Sequence, residues 1–341
     1  MRVDVEDLKL IADKLSSDFE FYKGKSIFVT GGTGFFGKWL LEAFIYLNQN
    51  HSLNVSITIL SRSPSKFKDN FPYLYNHSYF KFVQGDIRSF PDVTGDFDLI
   101  IHAATDASAE LNKSNPELMR STIVGGTKNV CKFADKVNCK RILYTSSGAA
   151  YGPQPEKLTH MPETFVDNPL FNHNDAYASA KLESESFFNE NAPCEIVIAR
   201  CFAFAGPYLP LDGSYAFGNF IDDVLSNRSI EIKGNGLGLR SYLYAADLVI
   251  WLLRILSSGH SHEVYNVGSS RAISIKELAN KVALGRVKVC IFGVDENINT
   301  YIPCVKKAKT TLGLSESFKI EELISKTKAF YQPIKTDDCE I

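Results

Sequence analysis

The segment Thr30-Gly31-Gly32-Thr33-Gly34-Phe35-Phe36-Gly37 constrains this chain more than any other. It follows a β-branched run, Ser26 to Thr30, and precedes a stretch, Lys38 to Leu47, that reads as a helix. Glycines at that spacing suit a strand-to-helix turn. Gly31 can take backbone angles closed to other residues, Gly34 lets a pyrophosphate approach the main chain, and Gly37 permits close helix packing. The helix N-terminus then faces an anion. The bare alternative is a tight turn without a ligand, yet strand, turn and helix occur in the order a dinucleotide site needs.

The rest of the first half repeats that rhythm. Short apolar runs at Ser26 to Thr30, Val55 to Ser61, Phe80 to Val83, Asp98 to His102, Arg141 to Ser146 and Glu195 to Arg200 alternate with longer helical patterns. Ile27-Phe28-Val29 and Leu99-Ile100-Ile101 are apolar without alternation, as in strands covered on both faces. An α/β fold follows, a Rossmann-type doubly wound parallel sheet. Beyond Arg200 the chain is punctuated by Gly206-Pro207 and Gly234-Asn235-Gly236, with helices near Asn219 to Leu225, Ala246 to Leu256 and Ile275 to Ala283. This reads as a smaller mixed C-terminal lobe capping the sheet. The predicted boundaries are an N-terminal amphipathic helix over 1–24, a dinucleotide domain over 25–200 plus roughly 238–263, and the lobe over 201–237 and 264–335. From about Pro333 the chain reads as a polar tail.

Charge and composition exclude several classes. Lys and Arg total 37 against 39 Asp and Glu, so no basic field gathers nucleic acid or anionic lipid. The best membrane candidate, Leu248 to Leu256, is interrupted by Arg254 and preceded by Asp247. The N-terminus lacks the apolar core of a signal peptide, and a cytoplasmic protein without membrane partners is expected. Seven cysteines are scattered without a Cys-x-x-Cys pair, which indicates neither a disulfide framework nor a metal site.

Two further patterns carry chemistry. The second strand ends Leu60-Ser61-Arg62-Ser63 with no acid to hold a ribose 2′-hydroxyl; Arg62 offers donors matched to a 2′-phosphate, which favours NADP over NAD unless Arg62 is a solvated loop residue. Asp86 either accepts from an adenine amino group or caps a turn. The fifth strand runs into Ser146-Ser147-Gly148-Ala149, and Tyr177-Ala-Ser-Ala-Lys181 follows about thirty residues later. Tyr177 and Lys181 share a helix face. An ammonium beside the phenol, with an oxidised nicotinamide, favours the phenolate, letting Tyr177 exchange a proton with a sugar hydroxyl while Ser147 orients the same oxygen.

These segments, with His102-Ala103-Ala104, Tyr151-Gly152, Arg200, Gly206-Pro207, Arg240-Ser241-Tyr242 and Tyr265-Asn266-Val267-Gly268, resemble the extended short-chain dehydrogenase/reductases. They look most like the branch of nucleotide-sugar epimerases, dehydratases and reductases. The resemblance implies a homodimer joined through a four-helix bundle, hydride transfer usually at sugar C4, and Ser147, Tyr177 and Lys181 as the catalytic set. It places the cofactor against Gly31, Thr33, Gly34, Phe35, Phe36, Gly37, Ser61, Arg62, Asp86, Ile87, Ala103, Ala104, Tyr177 and Lys181. A nucleoside-diphosphate sugar would meet Asp106, Ser108, Ser147, Asn219 and Arg240, with Arg240 on the diphosphate unless it pairs with Asp247. It also suggests a role in surface-polysaccharide synthesis.

Departures from the family narrow the activity. Its 4,6-dehydratases carry Asp-Glu after the catalytic Ser or Thr, and its uronic acid decarboxylases a Glu; this chain has Gly148-Ala149. Arg200-Cys201-Phe202-Ala203 lacks the family's Asn, and Thr122 to Gly126 stands near its Asn-x-x-Gly. Cys201 is a second acid or a small buried hydrophobe, and His160 and His173 are substrate contacts or loop residues. The leading expectation is an NADP-dependent 4-keto-(deoxy)hexose reductase. A 4-epimerase with tightly held NAD, a C4 dehydrogenase, and a non-catalytic dinucleotide-binding scaffold are the alternatives.

Overall fold

A computed structural model describes residues 2–105, 109–211, 213, 215–294 and 298–332. Asp106, Ser108 and the tail from Pro333 lie outside the described residues. Seven strands form the large sheet: β1 (Ser26–Thr30), β2 (Ser56–Ser61), β3 (Phe80–Gln84), β4 (Leu99–His102), β5 (Arg141–Ser147), β6 (Glu195–Cys201) and β7 (Val264–Val267). All are parallel, in the order β7-β6-β5-β4-β1-β2-β3. Strand order reverses between β1 and β4, so the carboxyl ends of these strands open a crevice. Central β4 and β5 are buried at every residue, whereas edge β3 is half-buried throughout or exposed. That gradient matches the unbroken apolar runs of the inner strands. β7 was expected in the C-terminal lobe, but it pairs with β6, Val264 opposite Ile198, and extends the large sheet.

The N-terminal segment is not one helix. Helix α1 (Val5–Lys14) ends at Leu15, a 3-10 turn spans Ser16–Asp18, and a short helix covers Phe19–Tyr22. Leu8, Ile11, Ala12, Leu15 and Tyr22 are buried. Buried Asp7 accepts from the Tyr244 hydroxyl at 2.6 Å, and Tyr22 donates to the Leu253 carbonyl at 2.6 Å. The apolar stripe read from the sequence therefore packs against the body of the molecule.

Helix α2 (Phe35–His51) starts earlier than periodicity alone suggested, because Gly34 already serves as its N-cap. Helices α3 (Gly126–Lys136) and α4 (Ala176–Asn191) cover the β4–β6 region, and α5 (Ala245–Ser258), buried along most of its length, lies beneath α1. The second half adds small sheets. Leu239–Arg240 lies between Ile273–Ser274 and Thr300–Tyr301, and Ile230–Ile232 pairs with Val289–Ile291. Among the described residues no helix is long and apolar enough to cross a membrane.

Candidate active site

The crevice is a cleft of about 780 Å³. Its floor begins at the glycine turn. Gly31 sits at φ +76°, and a Cβ there would stand 2.5 Å from the Ala103 carbonyl oxygen, so only glycine lets β1 and β4 release their chains this close together. A Cβ on Gly37 would fall 2.3 Å from the Gly32 backbone. At Gly34 an added Cβ would meet only the Gly31 carbonyl oxygen, at 3.3 Å. The N-cap offers no side-chain hydrogen bond and the first turn of α2 holds no acid, leaving the opening amides of the helix for an anion. A dinucleotide pyrophosphate fits this cradle. Every residue expected to touch the cofactor lines the cleft except Gly37, which lies behind Gly32 and acts through packing.

At the adenosine end, Ser61 and Arg62 close β2, and Asp86 and Ile87 follow β3. Asp86 is held by its neighbour: the Arg88 guanidinium donates to its two oxygens at 3.0 and 2.8 Å, and the Arg88 amide to Oδ1 at 2.8 Å. This fork keeps the carboxyl ionised, at about 2. The turn-capping role of Asp86 is thus the one visible in its contacts. The charge of Arg62 also reaches Asp86.

At the opposite end β5, β6 and α4 bring the catalytic candidates together. Asp175 caps α4 by accepting from the Ala178 amide at 3.0 Å, which sets Tyr177 and Lys181 facing the end of β5. Lys181 donates to Thr105 Oγ1 and to the Thr145 carbonyl, both at 2.8 Å. Burial pulls its ammonium down to about 8. Beneath it, the Ala104 amide donates to Thr30 Oγ1 at 3.1 Å, and that hydroxyl lies 2.8 Å from His102 Nδ1. Burial, with Lys181 close by, holds His102 neutral, down to about 3.

The phenol of Tyr177 departs from the sequence expectation. Burial raises it above the ordinary range; the Ser147 hydroxyl opposes the rise by hydrogen bonding, whereas Lys181 spends its donors on Thr105 and Thr145. Its Nζ stands 5.9 Å from the Tyr177 ring centre. In this state of the site, desolvation outweighs the ammonium.

Other expectations divide. Arg240 lines the cleft and donates to the Leu239 and Asn299 carbonyls at 2.8 Å; Asp247 is taken by the Ser317 amide and hydroxyl, so the pairing of Arg240 with Asp247 does not form. Asn219 accepts from the Gly213 amide at 2.9 Å and lines a second cavity of about 670 Å³ beside the cleft. Cys201 ends β6 inside the cleft, and burial pushes its thiol up to about 12, keeping it neutral. His160 lies 3.0 Å from the Ser270 carbonyl, His173 packs on Phe171, and neither lines the cleft. Thr122 does, from a π-helical turn over Ser121–Gly125 that periodicity cannot reveal. Sequence reasoning missed Tyr215 and Tyr301, aromatic cleft residues with no local motif, and met Phe202 and Tyr242 only as members of the Arg200–Ala203 and Arg240–Tyr242 segments, without assigning them to the cleft they line.

A sequence profile of the NAD dependent epimerase/dehydratase family matches residues 27–268. The chain is 29% identical to UDP-glucuronic acid decarboxylase 6 of Arabidopsis thaliana over 314 residues, 89% of this chain and 87% of that protein. It is 27% identical over 266 residues to dTDP-D-glucose 4,6-dehydratase of Homo sapiens, covering 76% and 73%. UDP-N-acetylglucosamine 4-epimerase from Methanobrevibacter ruminantium M1 shares the fold, with a TM-score of 0.78 at 22% identity over 91% of this chain and 98% of that one.

Proposed function

This chain belongs to the NAD dependent epimerase/dehydratase family and is an enzyme of that family, and from this premise we propose that it transfers a hydride at C4 of a nucleoside-diphosphate sugar, as a 4-keto-(deoxy)hexose reductase. One observation carries the reading. Among the described residues of the cleft the only carboxylate is Asp86, at the adenosine end, so the described residues of the reaction end offer a hydroxyl, phenols and an ammonium but no carboxylate. Chemistry confined to one carbon needs only the former. Elimination across C5 and C6 needs a further acid and base, and position 148, where dehydratases are expected to carry one, is glycine. Dehydration and decarboxylation are therefore disfavoured in this reading, although relatives of this chain bear those names.

In this reading Ser147 holds the sugar oxygen, Tyr177 exchanges the proton with it, and Lys181 stays largely charged at neutral pH and holds the nicotinamide ribose. A nicotinamide dinucleotide supplies the hydride when bound. Arg62 selects NADP through the 2′-phosphate. Asn219 and Arg240 then serve the nucleotide and diphosphate. The homodimer would pair α3 and α4 with their counterparts.

The test is to denature the purified protein, identify any released dinucleotide by mass, and measure NADPH and NADH affinity of the emptied protein. An empty site preferring NADPH, followed by turnover of a 4-keto sugar nucleotide, supports the reductase. Released NAD with little NADPH binding overturns it in favour of a 4-epimerase, the reading that the family's NAD dependence favours.

A further inference from the structure

The chain leaves β4 on a course set by its neighbour. Thr30 of β1 and His102 of β4 are register partners, and the Ala103 amide donates to the Thr30 carbonyl at 3.1 Å. The Ala104 amide then donates to the Thr30 hydroxyl at 3.1 Å, and the next residue, Thr105, stands half-buried in the wall of the cleft. There the Lys181 ammonium donates to Thr105 Oγ1 and to the Thr145 carbonyl, each at 2.8 Å. Lys181 is 1% exposed, and its Nζ lies 4.9 Å from the Tyr144 ring centre and 5.9 Å from that of Tyr177. Glu185, one turn further along α4, is taken up by the Arg200 guanidinium and the Ser146 hydroxyl. Among the described residues the hydrogen-bond partners of this ammonium are therefore two neutral oxygens.

We infer that Thr105 is a positioning residue for Lys181: it accepts one of the three ammonium protons, Thr145 accepts a second, and a single donor is left for the nicotinamide ribose. The inference rests on the proposed role of Lys181. An ammonium has three donors and no acceptor, and a hydroxyl oxygen offers it a lone pair. A buried charge needs such partners, because they replace the water it has given up. With no carboxylate bonded to Lys181 among the described residues, each neutral oxygen carries a large share of that replacement. Thr145 contributes main chain, which any residue would supply. Residue choice therefore reaches this pair of bonds at position 105.

The groups around Nζ act in both directions. Burial lowers the ammonium to about 8, against the opposing effects of Cys201 from β6 and Glu185 on its own helix. His102 from β4, held neutral, Tyr144 from β5 and Tyr177 on α4 also face it. A hydrogen bond accepted from the charged form favours that form. Losing Thr105 Oγ1 must lower Lys181 further, so that ammonium gives way to amine at a lower pH.

The test compares Thr105→Val, which keeps the shape and removes the acceptor, with Thr105→Ser, which retains a hydroxyl. Lys181 Nζ is titrated by nitrogen NMR of the full chain carrying isotope-labelled lysine, its signal identified as the one lost in Lys181→Met. Thr105→Val is expected to lower the titration midpoint by on the order of one pH unit, as for loss of one hydrogen bond to a charged group. Thr105→Ser should stay close to wild type. An unmoved midpoint in Thr105→Val, or an equal fall in Thr105→Ser, overturns the inference. The alkaline limb of kcat/KM should follow the midpoint, and a limb that stays in place while the midpoint falls overturns it as well. The titration needs no sugar, so absence of turnover with any sugar nucleotide would sink the proposed function while leaving this readout in place.

Discussion

The two halves of the cleft are built by different means. The dinucleotide half rests on backbone: Gly31, Gly34 and the opening amides of α2 form a cradle whose shape is written in eight consecutive residues. The sugar half rests on side chains delivered from β5, β6, α4 and the small sheets, with Cys201, Phe202, Tyr215, Arg240 and Tyr301 meeting from across a hundred residues of chain. A backbone cradle tolerates almost no change in residue type, because glycine is demanded by close approach and positive φ. A side-chain wall tolerates changes that retune chemistry. One half therefore preserves a cofactor while the other chooses a reaction.

The contrast can be broken most severely at Tyr177. Tyr177→Phe is expected to reduce turnover on the order of 10³-fold while leaving dinucleotide binding intact, since proton transfer by a placed side chain contributes about 10²–10⁴. Stopped-flow turnover and fluorescence titration check the two halves separately; lost dinucleotide binding would show that they are not separable. Gly31→Ala should do the reverse. Its methyl meets the Ala103 carbonyl at 2.5 Å in a φ +76° backbone, so loss of dinucleotide binding and a cost of at least about 1–3 kcal/mol in urea unfolding are expected.

Arg62→Ala sharpens the cofactor side. NADPH affinity should fall roughly 10–100-fold, as for loss of one charge-assisted contact, with NADH affinity nearly constant. Equal changes for both dinucleotides would remove Arg62 from 2′-phosphate recognition. The smallest effect lies at the seam, on Lys181. Its folded value of about 8 is below the ordinary 10.5, so the fold favours the neutral form. Burying it costs stability below about pH 8, and that cost fades as pH rises toward 10.5. Measured by urea unfolding, wild type should gain stability relative to Lys181→Met across that window; a constant gap would mean that Lys181 is not desolvated.

The same division governs what was legible from residues. The six expected strands up to β6 appear within one residue at each end, because their apolar runs are demanded by burial on both faces. The helix Ile275–Ala283 was read with its observed bounds, whereas α2, read from Lys38, begins three residues earlier at Phe35. By contrast, β7 was placed in the wrong layer, since four residues carry no label for the sheet they join. Asp86 was legible as a turn cap but not as the partner of Arg88 rather than of a base.

Sequence by itself determined the fold class, the glycine cradle and the Ser147, Tyr177 and Lys181 candidates, because local sterics, burial period and helical spacing act within a few residues. Only the tertiary structure decided that desolvation holds Tyr177 above the ordinary phenol range, that Arg240 leaves Asp247 alone, and that Tyr301 fills the space above Gly148. Such features depend on which distant groups share one water-poor space, and proximity in space is not encoded by proximity in the chain.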